Sequence, residues 1–291
     1  MFAGSMVALV TPMTVDGAID FPSLEELIEF HIGEGTDALV VAGTTGESAS
    51  LDHGELKKLV HEAIRVVRGR LPVICGSGSA STSKALILTR LVGELGADAA
   101  LVMTPPYVKP TQGGLEKHYL HLADGADVPI ILYNVPSRSA CDLLPETVGR
   151  LSAHPGIIGI KEATGDVDRV KQILELADDG FEVYSGDDIT AAAAMLAGAR
   201  GTISVTANVA PALMHEMCDA ALAGDTTHTA ELNARLADLH EALFFEPNPI
   251  PVKWALADMG QIPEGIRLPL TRLSDTHHLA LREAMRKAHI I

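Results

Sequence analysis

The sequence predicts an α/β protein, a closed (β/α)8 TIM barrel followed by a C-terminal helical appendage. Short apolar runs recur at intervals of about 20 to 35 residues, each followed by a Gly/Thr/Pro-rich break and a longer amphipathic stretch, the pattern of repeated strand-helix units. Most runs are apolar nearly throughout, which marks strands covered on both faces and therefore a parallel sheet wrapped by helices. The first run leads into TPMTVDG, not into the G-x-G-x-x-G of an open dinucleotide-binding sheet, so the closed barrel is the better solution.

In order, the strands are MVALV from Met6, ALVVA from Ala38, PVICG from Pro72, AALVM from Ala99, PIILY from Pro129, IIGIK from Ile157, FEVYS from Phe181 and GTISV from Gly201. Between them the 3.6-residue period predicts helices over Leu24–His31, Glu55–Arg68, Thr82–Glu94, Gly114–Ala123, Pro145–Ser152, Val167–Leu176 and Ile189–Leu196. After the eighth run the strand signal stops. Pro211–Ala223, Thr229–Phe245, Ile250–Met259 and Thr276–Ala288 read as helices. The expected division is residues 1–206 for the barrel that carries the active site and 207–291 for a helical region packed on it, covering its last helices or building an oligomer contact.

Composition narrows the function. The 291 residues carry 22 Lys+Arg against 38 Asp+Glu, a formal charge of −16, with no basic stripe, which argues against a nucleic-acid or anionic-membrane surface. Cys75, Cys141 and Cys218 are odd in number, widely spaced and outside any C-x-x-C, as expected of free thiols in a reducing cytosol. The opening MFAGSMVALVTP lacks a charged n-region and is broken at Pro12, so neither a signal peptide nor an anchor is expected. Of 12 histidines none forms His-Glu-x-x-His, and no metal site is expected.

Reactive groups of such a barrel sit at the carboxyl ends of its strands, where loops surround an open mouth. Of nine lysines, only Lys161 closes an apolar strand. Alternation places Ile157, Gly159 and Lys161 on one face, with Gly159 leaving room beside the amine. Burial there disfavours the charged amine and favours attack on a carbonyl, which suits Schiff-base chemistry. A lysine that snorkels out of the mouth or pairs with Glu162 fits the same position. The neighbouring strand ends in Tyr133 and continues Asn134-Val135-Pro136-Ser137-Arg138. This places a phenol able to relay protons and a guanidinium able to clamp a carboxylate around one mouth. Alone, each also reads as a half-buried aromatic and a loop cation. After the second strand, Gly43-Thr44-Thr45-Gly46-Glu47-Ser48 lets backbone N–H donors approach an anion or simply caps the next helix.

These residues resemble the class I pyruvate-dependent aldolases and lyases, the N-acetylneuraminate lyase family, and within it the dihydrodipicolinate synthase group. The likeness covers nearly the whole chain. GTTGES from Gly43 and IIGIKEATGD around Lys161 are shared by the superfamily, whereas YNVPSR from Tyr133, ISVTANV from Ile203 and FEPNPIPVKWA from Phe245 are similar to the synthase group. The resemblance implies that Lys161 forms an imine with pyruvate and that Thr44 and Thr45 hold the pyruvate carboxylate, with Gly186 and Ile203 lining the pocket. Tyr133, Thr44 and Tyr107 would relay protons, Tyr107 reaching the neighbouring subunit's site, and Arg138 would bind the carboxylate of L-aspartate 4-semialdehyde. It further implies the product 4-hydroxy-tetrahydrodipicolinate, on the route to lysine and diaminopimelate, no cofactor beyond the covalent imine, a cytoplasmic location and a homotetramer built as a dimer of dimers. The rival within the family is an N-acetylneuraminate or 2-keto-3-deoxy-sugar lyase. From another class, the rival is a barrel that binds a metabolite without turning it over. Arg138 favours the small carboxylate acceptor over a sugar.

One departure from the family pattern stands out. Feedback-regulated members bind free lysine at Ser48, Ala49 and His53, which this sequence keeps. It has Leu56, Ala80, Lys84 and Pro106 where they carry a histidine, an asparagine, a glutamate and a tyrosine. Lys84 would repel an ammonium, so a vestigial site with weak or no lysine inhibition is expected.

Overall fold

The computed structural model describes residues 2–291. Eight parallel strands close into a barrel in sequence order, β1 pairing with β8. They are β1 Gly4–Ala8, β2 Ala38–Val41, β3 Val73–Gly76, β4 Ala99–Met103, β5 Ile130–Asn134, β6 Ile157–Glu162, β7 Glu182–Ser185 and β8 Gly201–Ser204. The expected fold class is the one observed, and each of the eight expected runs overlaps an observed strand, the first strand beginning two residues before Met6 and the others within one residue of expectation.

Strand alternation sorts the apolar residues into two cores. Met6, Ala38, Val40, Ile74, Ile131 and Ile203 pack inside the barrel. Their neighbours Val7, Leu39, Cys75, Ala100, Leu132 and Val183 join the layer between sheet and helices. Each fully buried Leu, Ile or Val contributes about 1.5–3 kcal/mol, so it is these two layers that hold the strand ends in place. All three cysteines are free and buried.

The helices begin where the sequence offers caps. They are α1 Phe21–Gly33, α2 His53–Val67, α3 Thr82–Glu94 and α4 Gln112–Gly125. Asp20, Asp52, Ser81 and Thr111 accept the free N–H groups at their starts, Asp52 in a capping box with Glu55. A short turn not expected from the sequence, α5 Pro136–Ser139, follows β5 and carries Arg138; Pro136 begins it. Then come α6 Pro145–Ser152, α7 Val167–Leu176 and α8 Ala191–Leu196, the last starting after the expected Ile189.

The chain ends with α9 Pro211–Leu222, α10 Thr226–Ala242, α11 Ile250–Asp258 and α12 Asp275–Lys287. Helix α9 packs on β1 as well as on α8 and α10. It thus takes the eighth place in the helical ring, and a boundary at 206/207 falls before that helix. No helix among the described residues is long and apolar enough to cross a membrane.

Strand β6 departs from simple alternation. Its register against β5 shifts between the pairs Ile130↔Ile157 and Ile131↔Gly159, a bulge that absorbs one residue and flips the faces around it. Ile157 therefore lies in the outer layer and Ile158 packs against the inner one. The expected shared face of Ile157 and Lys161 is corrected accordingly. Beyond the bulge the register is regular, and Lys161 lies between Tyr133 of β5 and Tyr184 of β7.

Candidate active site

Lys161 sits at the carboxyl end of β6, 6% exposed, with Nζ 4.5 Å from the centroid of the Tyr133 ring. No acidic side chain among the described residues pairs with it within 4.0 Å. Glu162, the partner sequence reasoning also allowed, points to the outer side of the strand. There it accepts from Asn134 Nδ2 at 3.0 Å and lies 3.3 Å from Arg169 Nε. Burial raises the Glu162 carboxyl above the usual range, opposed by those two partners.

The glycine that makes space for the lysine is Gly186, not Gly159. A Cβ at Gly186 would fall 2.8 Å from Lys161 Cε and 2.7 Å from Ala163 Cβ, whereas one at Gly159 would meet Glu182 O at 2.6 Å and the Tyr184 ring at 3.1 Å. Gly159 thus makes room for Tyr184, which fills the barrel below the amine.

The loop after β2 is shaped by backbone demands. Ala42 and Glu47 both adopt positive φ, at 54°. Gly46 approaches Leu9 O and Ala42 N so closely that a Cβ would lie 3.1 and 3.2 Å from them. Thr11 Oγ1 donates to Gly46 O at 2.7 Å and Glu47 N to Thr44 O at 3.0 Å. Among the described residues, no backbone carbonyl accepts from the N–H of Thr44 or Thr45. Successive unclaimed N–H groups at a cavity wall form an anion cradle.

Thr44, Thr45, Tyr133, Arg138, Lys161 and Gly186 line one cavity of about 180 Å³ at the barrel mouth. Two expected residues are not in its wall. Ile203 is packed in the inner core, 1% exposed, and Val205, two positions on, takes the wall position. Tyr107 stands 91% exposed on a left-handed backbone, φ 75°, away from its own chain's cavity. The expected feedback residues also separate. Ser48 and Ala49 line an adjoining cavity of about 100 Å³ with Leu56, while His53 and Lys84 are not part of its lining.

The wall also takes in residues to which sequence reasoning assigned no settled role: Phe244, Asp187 next to Gly186, and Asn248, which the sequence leaves either near the mouth or ordering its Pro-rich loop. Asn248 Nδ2 donates to Thr45 Oγ1 at 3.0 Å, and its carbonyl accepts from Arg138 Nη2 at 3.3 Å. Asp187 Oδ2 accepts from Thr190 Oγ1 at 3.0 Å. Beside it, Asp188 Oδ2 accepts from the N–H groups of Val205 and Thr206, each at 2.9 Å, fixing the turn after β8. Thr206 Oγ1 links this turn to His240 Nδ1 at 2.8 Å. Burial holds the His240 imidazole below its ordinary range. Nothing in the sequence foretold that Phe244 of the helical tail would wall the cavity.

The dihydrodipicolinate synthetase family model matches residues 1–288. The chain belongs to the dihydrodipicolinate synthetase family. It is 58% identical over 291 residues to the 4-hydroxy-tetrahydrodipicolinate synthase of Acidithiobacillus ferrooxidans and 55% identical to that of Methylococcus capsulatus, covering 100% of each chain. Among solved structures, it is similar to the chloride-inhibited dihydrodipicolinate synthase of Acinetobacter baumannii complexed with pyruvate. That match has a TM-score of 0.99 at 50% identity and covers 100% of both chains. The dihydrodipicolinate synthase of Thermotoga maritima matches with a TM-score of 0.98 at 41% identity over the full length of both. As a member of this family, the chain is a lyase of the class I aldolase type on a barrel fold.

Proposed function

We propose that this enzyme condenses pyruvate with L-aspartate 4-semialdehyde through an imine on Lys161, giving 4-hydroxy-tetrahydrodipicolinate for lysine and diaminopimelate synthesis. One observation carries the reading. A buried amine without an acidic partner faces a small cavity that holds unclaimed N–H donors on one wall and a guanidinium on another.

Pyruvate enters with its carboxylate on the N–H groups of Thr44 and Thr45. The amine of Lys161 adds to the keto carbon and water leaves, forming the imine. Loss of a methyl proton gives the enamine, because the protonated imine withdraws electrons from the adjacent carbon. The enamine carbon attacks the aldehyde of the semialdehyde, whose carboxylate Arg138 holds, and the new alkoxide takes up a proton. The substrate's own amine then attacks the imine carbon, closes the ring and expels the Lys161 amine. Tyr133, with its ring against that amine, serves as the proton carrier, with the Thr44 hydroxyl beside it. No metal or other cofactor is required, since the covalent imine supplies the electron sink.

Tyr107 acts at the site of a second subunit. An exposed aromatic on a strained backbone is a costly arrangement for an isolated chain. It stands near a groove of about 390 Å³ between Pro106 and Leu268, with Leu268 itself 80% exposed. Two chains that each insert Tyr107 into the other's site form a dimer, and two dimers a homotetramer in the cytoplasm.

The deciding experiment is borohydride reduction in the presence of pyruvate. A stable adduct on the peptide containing Lys161 is expected; an unmodified chain overturns the mechanism. A coupled assay with aspartate semialdehyde then tests the acceptor, and failure to consume it would favour a sugar acceptor.

A further inference from the structure

The loop with the unclaimed N–H groups ends at Glu47, whose φ of 54° and ψ of 34° are left-handed, a conformation an L-residue keeps only where its surroundings hold it. Every polar group of Glu47 is tied. Its N–H donates to Thr44 O, its carbonyl accepts from Ser50 N at 2.8 Å and Ser50 Oγ at 2.9 Å, and Oε2 accepts from Arg267 N at 3.1 Å. Oε1 accepts from Lys253 Nζ in an ion pair whose side chains are 1% and 4% exposed.

A buried ion pair is a poor source of stability, because a well-packed apolar pair commonly serves as well or better; with both partners held, what it does supply is fixed geometry. Here both are held. Lys253 sits on α11, and the residues leading into that helix include Asn248, which bonds Thr45 and Arg138. The same stretch of chain thus grips the loop at Thr45 and at Glu47.

We propose that Glu47 and Lys253 are positioning residues for the keto-acid carboxylate: their ion pair locks the Thr44–Glu47 turn so that the N–H groups of Thr44 and Thr45 stay presented to the cavity. Neither side chain lines that cavity, so both act through the loop. The inference rests on the pyruvate reading given above and extends it to residues that touch no substrate.

The test uses the full-length enzyme. Borohydride trapping of the wild type with pyruvate comes first, so that a failure of the pyruvate reading is seen separately. Glu47→Gln, the double variant Glu47→Gln/Lys253→Met and the charge-keeping Lys253→Arg are then compared. The double variant removes both charges together and leaves no unpaired ion to unfold the chain. Loss of the anchor is expected to raise the KM for pyruvate about tenfold to a hundredfold, the scale of one lost charge-assisted contact. The KM for the aldehyde and the kcat at saturating pyruvate should stay within about threefold, and Lys253→Arg should stay near wild type. A double variant that folds and binds pyruvate like the wild type overturns the proposal. So does a loss spread equally over kcat and both KM values, because a purely structural role predicts that. Should neither Gln variant fold, Glu47→Asp, which keeps the charge but shortens the reach to Lys253, takes their place: with an unchanged melting temperature, a selectively raised pyruvate KM supports the positioning role, and an unchanged KM overturns it.

Discussion

Lys161 and Tyr133 are register partners on β6 and β5, and the lysine Nζ lies 4.5 Å from the centre of the tyrosine ring. The ring face attracts a cationic amine, while the phenol hydroxyl at its edge is the group able to exchange protons. Tyr133→Phe separates these two contributions. The variant keeps the ring against the amine, so borohydride trapping with pyruvate should persist. Turnover should fall by about 10²–10⁴, the usual contribution of a positioned acid-base group. Steady-state kinetics beside adduct mass measures both, and a variant with wild-type kcat would remove Tyr133 from the proton path.

Gly186 gives a second prediction, because its missing Cβ is the space that the lysine methylenes occupy. Gly186→Ala would press on Ala163 Cβ, part of the backbone-bound framework, as well as on Lys161 Cε. Overpacking of this kind costs about 1–3 kcal/mol, and the amine should be displaced from its line of approach. Imine trapping is expected to fall more in Gly186→Ala than in Gly159→Ala, whose new methyl would strain β6 against Glu182 O and Tyr184 without touching Lys161. Equal losses of trapping at equal stability would show that Gly186 has no special relation to the lysine.

The contrast between these glycines shows what was legible in the sequence. Lys161 stood out because it alone among the lysines closes an apolar run, and the barrel places strand ends at the mouth. Counting by twos then failed one turn earlier, because Ile157 and Ile158 are both apolar and carry no mark of the bulge between them. Tyr133, Arg138 and the Thr44–Thr45 loop were found for the same reason as Lys161, each lying at or just beyond a strand end. Phe244 was not, and Asn248 fits either the mouth or its own Pro-rich loop, since both come from the helical tail. Asn248 meets Thr45 across 203 positions of chain, a contact made by tertiary packing that no local period encodes. Ile203 was placed in the pocket by family likeness, whereas its side chain packs into the inner core, 1% exposed, and is not in the cavity wall.

Lysine should not regulate this enzyme. Ser48, Ala49 and Leu56 share a small cavity beside Thr44 and Tyr133, but His53 and Lys84 do not line it. Leu56, 7% exposed, offers that cavity an apolar side chain, and no carboxylate among the described residues lines it to meet an ammonium. Steady-state rates with saturating substrates are expected to be unchanged by millimolar L-lysine, and a sigmoidal or saturable loss of rate would restore the site to function.

Stability should fall on mild acidification, and the buried histidines set the direction. His31 is fully enclosed on α1, with Nδ1 2.9 Å from Thr36 Oγ1, and burial pushes its imidazole down to about 3 from an ordinary 6.5. Between those values the unfolded chain carries a proton that the folded chain refuses, so stability rises with pH in this window. The contribution is whole above pH 6.5 and is lost as pH falls toward 3. His118, lowered to about 4 by burial and then by the nearby His121 charge, has the same sign. His215 has the opposite sign: burial is the largest single influence and works against its charged form, but its bond to Asp37 and the charges of Asp37 and Asp219 together outweigh this and raise it. Its contribution is present below 6.5 and lost as pH rises. Glu55, held down to about 2 chiefly by its bond to Arg267, loses its contribution only between 4.5 and 2 and so does not enter a scan from pH 7.5 to 5.5. Between pH 7.5 and 5.5, His31 alone removes about 1.4 kcal/mol. The melting temperature should therefore drop between pH 7.5 and 5.5, and His31→Gln should flatten that drop by the same amount while lowering stability at pH 7.5. A wild type whose melting temperature rises on acidification, or a His31→Gln variant with an unchanged slope, would show that this imidazole is not kept neutral by the fold.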